Sequence, residues 1–389
     1  MVSSHAVVIE TRGVDRLIRA LWDRGLTVLG PTIHDGAVVY GEISGVDDLP
    51  VGTGDEHAPG SYRLVSRADD ALFGFVVGPT SPKATFHPPE AVVWAGTADL
   101  ARTDDDGARP RFAFVGIRPC ELAAIAVQDR VFLGGDPDRT YSGRRRDAFL
   151  VAVNCTSPGA TCFCGSMGTG PGATDGFDIL LTEVIGEGVH HLLAVAGTAE
   201  GAELLEGLEG DAASDDQVAE AEALVARASS MMGRSLETDG IREMLSRSVD
   251  SPRWEAIARR CLTCANCTMV CPTCFCSTVD DAGSLIARGP SRGDTIGAPD
   301  HADSVETARR VRRWDSCFNF EFSLVHGGPH RVSPASRYRQ WMTHKLASWH
   351  DQFGTSGCVG CGRCITWCPV GIDITAEAAL FWEEERVHA

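Results

Sequence analysis

Positive charge is what this 389-residue chain lacks: 53 Asp and Glu stand against 35 Lys and Arg, for a formal charge of −18. That balance argues against a nucleic-acid partner, because a phosphate binder concentrates basic side chains. The basic runs Arg144–Arg145–Arg146 and Arg309–Arg310 with Arg312–Arg313 are short and read as solvated faces or docking patches for an acidic protein. No apolar run approaches the ~20 residues that cross a bilayer. Residues Met1 to Arg12 have no apolar core behind a basic stretch. The expectation is a cytoplasmic protein with no direct membrane contact. Nucleotide signatures are missing as well. No G-x-G-x-x-G follows a strand, Gly168 to Gly172 has the wrong spacing, and no G-x4-G-K-[ST] occurs. His5, His34, His87, His190 and His191 form no ligand spacing, and no pattern marks a substrate pocket of the chain's own.

What is present in excess is cysteine. Hydrophobic content of 43% and charged content of 23% describe an ordinary globular protein, long enough for two or three domains. Fifteen cysteines without a secretory leader suggest metal ligands rather than disulfides.

Residues 261–272 and 358–369 each spell C-x2-C-x2-C-x3-C-P, the run that holds a [4Fe–4S] cluster in bacterial ferredoxins. Two complete copies point to two clusters and to one-electron chemistry. In two-cluster ferredoxins the fourth cysteine of each run ligates the other cluster. The expected sets are therefore Cys261, Cys264, Cys267 and Cys368 for one cluster, and Cys358, Cys361, Cys364 and Cys271 for the other. Leu262, Val270, Val359, Ile365 and Trp367 would exclude water around them. Two four-cysteine zinc sites are the alternative, but such sites usually pair separate C-x-x-C knuckles.

A further group is Cys120, Cys155, Cys162 and Cys164. Cys120 opens a helix, where a thiol pKa is expected to fall and favour the thiolate. Cys155 ends a strand, and loops after strands converge at one sheet edge. By spacing these four are either a third cubane site, or buried cysteines, or a redox pair. Cys274, Cys276 and Cys317 remain: they are either a further site, one thiol short of a cubane, or, on the favoured reading, small apolar residues packed around the first cluster.

The expected fold class is α+β. Residues 1–196 form a mixed α/β domain, with strands at 6–9, 38–40, 73–77, 112–115 and 149–153 and helices at 14–21 and 119–131. Residues 197–251 are a helical linker, with apolar positions at helical spacing in 199–208, 215–232 and 241–245. Residues 252–389 form an α-helical, ferredoxin-like two-cluster domain with a long insertion, 272–357, between its runs, and helices at 338–349 and 374–385.

The stretches Cys271-Pro272-Thr273-Cys274-Phe275-Cys276, Trp314-x-Ser316-Cys317 and Cys358 to Cys364 resemble a family of electron-transfer subunits. It unites the sulfhydrogenase β subunit with its counterpart in anaerobic sulfite reductase. Arg118-Pro119-Cys120-Glu121 and Thr161 to Gly170 resemble it too. The similarity spans roughly residues 80–375. It implies an electron-transfer subunit between a flavin subunit that handles NAD(P)H and a terminal catalyst. That catalyst is a nickel–iron hydrogenase module on the favoured reading and a sirohaem sulfite reductase on the alternative; a self-contained reductase is the remaining reading. The resemblance favours a third [4Fe–4S] cluster at Cys120, Cys155, Cys162 and Cys164, and it leaves Cys274, Cys276 and Cys317 without a role.

Overall fold

The computed structural model describes residues 6–76, 78–97, 110–186, 188–208, 210–283 and 307–388. Among the described residues, fifteen strands organise its sheets: β1 (Val7–Ile9), β2 (Thr27–His34), β3 (Ala37–Glu42), β4 (Thr53–Ala58), β5 (Ser61–Ser66), β6 (Glu90–Thr97), β7 (Phe112–Ile117), β8 (Phe149–Val153), β9 (Ile179–Gly186), β10 (Val189–Ala196), β11 (Asp211–Ala212), β12 (Ser277–Gly283), β13 (Thr307–Trp314), and the short pair β14 (Leu324–Val325) and β15 (Gly328–Pro329). The main sheet runs β11-β1-β10-β9-β8-β7-β2-β3. Its centre is parallel, β2 to β7 to β8 to β9, and its flanks are antiparallel. This is the mixed sheet that the alternation of strands and helices predicts.

The two central parallel strands, β7 and β8, are apolar throughout because both their faces are covered. All of Phe149–Val153 is buried. The helix Thr11–Asp23 buries Val14, Leu17, Ile18 and Leu21, a stripe at helical spacing, against one face. Each such side chain contributes about 1.5–3 kcal/mol over its exposed state. Helix Pro119–Phe132 follows β7 with proline at its first position, and the Glu121 carboxylate accepts from Arg118 N at 3.0 Å at its start.

The strand expected at 73–77 does not form, although Phe73, Phe75 and Val76 are buried; Val77 lies outside the described residues. Side chains take the place of a ladder. Glu183 accepts from Leu72 N at 2.7 Å and Phe73 N at 3.0 Å, and Asp55 accepts from Val76 N at 3.1 Å. Arg118 donates to the carbonyls of Phe73 and Phe75 at 2.7 and 2.5 Å. With its backbone groups so satisfied, the segment needs no neighbouring strand.

The C-terminal part is mainly helical. Of its segments Ile241–Arg247, Arg253–Ala258, Pro334–Thr343, Trp349–Phe353 and Ile374–His388, all but Trp349–Phe353 pack around Trp254, Tyr338, Trp341, Met342 and Phe381, while Trp349 and Phe353 pack against Phe275. A π-helical turn, His344–Ser348, joins the third and fourth of these. The stretch between the cysteine runs also adds β12 and β13, which form a three-stranded antiparallel sheet with β6. Among the described residues no helix is long and apolar enough to cross a membrane.

Candidate metal centres

The two cysteine runs fold alike, residue for residue. Thr263 and Ala265 in the first and Gly360 and Gly362 in the second have φ of 51°, 66°, 65° and 75°. These left-handed residues wrap each loop back on its first cysteine. Thr263 N donates to Cys261 Sγ at 3.4 Å, and Gly360 N donates to Cys358 Sγ at 3.4 Å. A one-turn helix follows in each, Asn266–Met269 and Arg363–Thr366. Backbone N–H groups aimed at sulfur favour the thiolate form.

The fourth cysteines cross over. Around Cys267 stand the thiols of Cys261, Cys368 and Cys264, then Cys271. Around Cys364 stand Cys358, Cys361 and Cys271, then Cys267. Cys368 therefore sits with the first run and Cys271 with the second. Cys267 and Cys364 lie near enough to influence each other. Cys264 is exposed, beside the exposed Leu262 and Val370, so the first group opens to the surface.

The N-terminal four also meet. Cys120 leads the helix after β7, Cys155 follows β8, and Cys162 and Cys164 lie in the next loop. Cys162 and Cys164 each have Cys155 as a neighbour, Cys120 has Cys164, and Cys361 of the second run adjoins Cys120, Cys162 and Cys164. The contact is tight. Phe163 N donates to Gly360 O at 2.8 Å, and a Cβ on Gly362 would fall 2.4 Å from Thr161 O. Thr169 Oγ1 donates to Val359 O at 2.6 Å.

The helix start does not lower the Cys120 pKa, contrary to the sequence expectation. Burial, then the neighbouring Cys164 and Cys361, push it well above the usual thiol value. Burial likewise pushes Cys164 and Cys358 up to about 12 and holds Cys155, Cys162, Cys267, Cys361 and Cys364 above the ordinary thiol range. Buried thiols crowded together ionise only against a cation, and a coordinating metal deprotonates them outright. All-sulfur donor sets suit soft centres, iron–sulfur clusters or zinc. A zinc ion bonded at about 2.3 Å would need its sulfurs within about 4.6 Å of one another. Among the described residues no three His, Cys, Asp or Glu side chains gather closely enough for one metal ion. A cubane, a cage with one iron per ligand, takes a wider set.

Cys274, Cys276 and Cys317 are half-buried, and Cys317 packs against the helical core. Cys274 is a hydrogen-bond partner of Cys271, and Cys276 of Cys317. Two side chains that the motifs did not mark stand beside them. Lys345, in the π-helical turn, donates to Cys271 Sγ at 3.1 Å and to Thr273 Oγ1 at 3.0 Å. Lys83 donates to Met269 O at 3.0 Å, lies 3.9 Å over the Trp314 ring, and neighbours Cys274, Cys271 and Cys276. Burial lowers the Lys83 pKa to about 8. Burial pulls Lys345 down too, but Cys271, Cys274 and Cys358 overcome it and hold the ammonium well above its ordinary value. Of the histidines, His57 stands beside the N-terminal group, its Nδ1 3.5 Å from Thr161 Oγ1. Burial takes His87 down to about 3, and its ring nitrogens have no hydrogen-bond partner.

Comparison with known proteins agrees with this geometry. Residues 260–372 match the 4Fe-4S dicluster domain. The chain is 29% identical over 348 residues to sulfhydrogenase 2 subunit beta of Pyrococcus furiosus, covering 89% of either protein. No solved structure matches. The resemblance to the sulfhydrogenase β subunit family thus holds over nearly the whole length. Domain and relative together support an iron–sulfur electron-transfer subunit.

Proposed function

We propose that the chain relays electrons between a flavin subunit that handles NAD(P)H and a nickel–iron hydrogenase module, in the cytoplasm. The observation that carries this is the chain of adjoining thiol groups, from the N-terminal four, through Cys361 to the second run, and through Cys267 and Cys364 to the first. On this reading Cys261, Cys264, Cys267 and Cys368 hold one [4Fe–4S] cluster, Cys358, Cys361, Cys364 and Cys271 a second, and Cys120, Cys155, Cys162 and Cys164 a third. When bound, the clusters supply one-electron carriage and nothing else.

The residues of the chain supply the rest. Backbone N–H groups at Thr263 and Gly360 stabilise negative charge on sulfur, and the apolar side chains around the runs keep water out. The exposed edge at Leu262, Cys264 and Val370 is where a redox partner docks, because an apolar surface there brings a carrier close without charge to desolvate. Residues 1–196 form the α/β domain, 197–251 the helical linker and 252–389 the dicluster domain.

The test is anaerobic reassembly of the cluster-loaded chain with separate partner modules. NAD(P)H should reduce the chain only when the flavin subunit is added, and hydrogen should appear only when the hydrogenase pair follows. If the isolated chain oxidises NAD(P)H unaided, the relay reading falls. If a sirohaem sulfite reductase accepts its electrons and the hydrogenase does not, the sulfite branch replaces it.

A further inference from the structure

We propose that Cys274, Cys276 and Cys317 hold a further iron–sulfur cluster, with Lys83 and Lys345 as its buried counter-charges. This site goes beyond the three groups above and shares none of their ligands.

Lysine use is the first observation. The chain has two lysines against 33 arginines. Both are buried, at 5% and 3% exposure, and both stand beside the segment Cys271 to Cys276. Basic residues elsewhere in this chain are arginines. The buried arginines Arg118, Arg337 and Arg363 all donate to oxygen acceptors, carbonyls and the Glu121 carboxylate, whereas the two lysines stand beside sulfur.

Their surroundings are the second. Two buried ammonium groups repel each other, and Lys345 does act against the charge on Lys83. Isolated buried charges are costly unless paired. No carboxylate pairs with either lysine among the described residues. The anionic groups around Lys83 are the sulfurs of Cys274, Cys271 and Cys276, and around Lys345 those of Cys271, Cys274 and Cys358. Lys345 also acts on Cys276 and Cys317. Two buried amines, each with N–H donors facing a pocket of sulfurs rather than a carboxylate, suit a polyanionic body of thiolates and sulfide better than neutral thiols.

The third is local sequence and topology. Thr273-Cys274-Phe275-Cys276 repeats Thr161-Cys162-Phe163-Cys164, the loop of the N-terminal group. The β12–β13 ladder then delivers the third thiol. Ser277 pairs with Trp314, and Asp315 N donates to Cys276 O at 2.9 Å, which sets Cys317 beside Cys276. Three thiolates complete a three-iron cluster, or a cubane whose fourth iron takes a ligand other than cysteine.

The experiment compares the assembled complex containing Cys276→Ser or Cys317→Ser with the parent complex, by anaerobic iron and sulfide analysis and by electron paramagnetic resonance of the reduced protein. Each variant should lose about three to four irons per chain while the signals of the ferredoxin-type pair persist. Unchanged iron overturns the proposal. So does a Cys276–Cys317 disulfide found by peptide mapping of the parent. If neither variant assembles, native mass spectrometry of the chain carrying Cys164→Ala, which has no N-terminal cluster, decides: iron beyond the about eight of the ferredoxin-type pair supports the site, and about eight or fewer overturns it. A parent without ferredoxin-type signals would instead sink the dicluster reading, so the two failures are distinguishable.

Discussion

Arg363 and Glu121 form an ion pair at 2.6 Å with both side chains only 1% exposed. Arg363 lies inside the second cysteine run, and Glu121 follows Cys120. The pair therefore pins the dicluster region to the N-terminal thiol group at the point where Cys361 adjoins Cys120. Further partners surround both charges, although Arg363 Nη1 is buried without one. Tyr40 Oη donates to Glu121 at 2.7 Å, and Arg363 donates to the carbonyls of Gly78 and Thr80 at 2.8 and 2.9 Å.

Removing one member of such a pair leaves the other buried and uncompensated, which costs about 3–5 kcal/mol. Arg363→Met should therefore lower the stability measured by anaerobic urea unfolding by that amount, and Glu121→Gln should do so to a similar degree. A loss below about 1 kcal/mol, as for an exposed pair, would show that the two regions are not held together here. The double variant Arg363→Met with Glu121→Gln should recover part of the loss, because no lone charge remains.

The cysteine runs were legible because a cluster imposes a fixed local spacing on its ligands. Of the parallel strands, β7 and β8 were legible because burial on both faces makes them apolar throughout. Strands β2 and β9 were missed, their apolar runs being broken by Thr27, Gly30 and Pro31 and by Thr182 and Glu183. Residues 73–76 misled, since their apolar character reports burial and not the hydrogen-bond partners, which are Glu183, Asp55 and Arg118 from distant positions. Strand β13, Thr307–Trp314, carries four arginines and no apolar alternation, and its ladder partner β6 lies over two hundred positions earlier. Arg363 sat in plain view inside a motif, yet nothing in the motif indicates that Glu121 faces it. The two lysines did carry a signal in their rarity. Its meaning depends on the fold, which alone brings both beside Cys271 to Cys276.

Crossed ligation makes Cys368→Ser a test with two distinct outcomes. Cys368 neighbours Cys261 and Cys267, whose run lies about a hundred residues earlier. The variant should lose the cluster of the first run and keep that of the second. Pairing this variant with Cys261→Ser identifies the lost signal in electron paramagnetic resonance, because both should remove the same one. If Cys368→Ser instead matches Cys358→Ser, the ligands are not crossed.

Cys164→Ala addresses the N-terminal group. All four of its thiols are buried, and a bound metal offsets their mutual repulsion. The substitution should remove one set of cluster signals and about four irons. It should leave the ferredoxin-type pair intact and cut electron flow between NAD(P)H and the terminal catalyst in the complex. Full iron content with full flow would mean that these cysteines only pack, and that the relay passes through the two runs alone.

Lys345 should set the potential of the cluster that Cys271 ligates. Its ammonium sits 3.1 Å from Cys271 Sγ, is almost entirely buried, and has no carboxylate to neutralise it among the described residues. A nearby fixed positive charge stabilises the reduced, more negative state of a cluster, and low dielectric strengthens the effect. Lys345→Met keeps much of the side-chain volume and removes the charge, so the midpoint potential of that cluster should fall. Lys345→Arg, which keeps the charge, should hold the potential nearer the parent value than Lys345→Met does. The cluster of the first run, further from the ammonium, should move less. The measurement is a redox titration followed by electron paramagnetic resonance, with iron content checked in the same sample. A potential that stays put with iron retained would make Lys345 a packing residue. A uniform fall in both clusters would mean that its field reaches across the whole dicluster region.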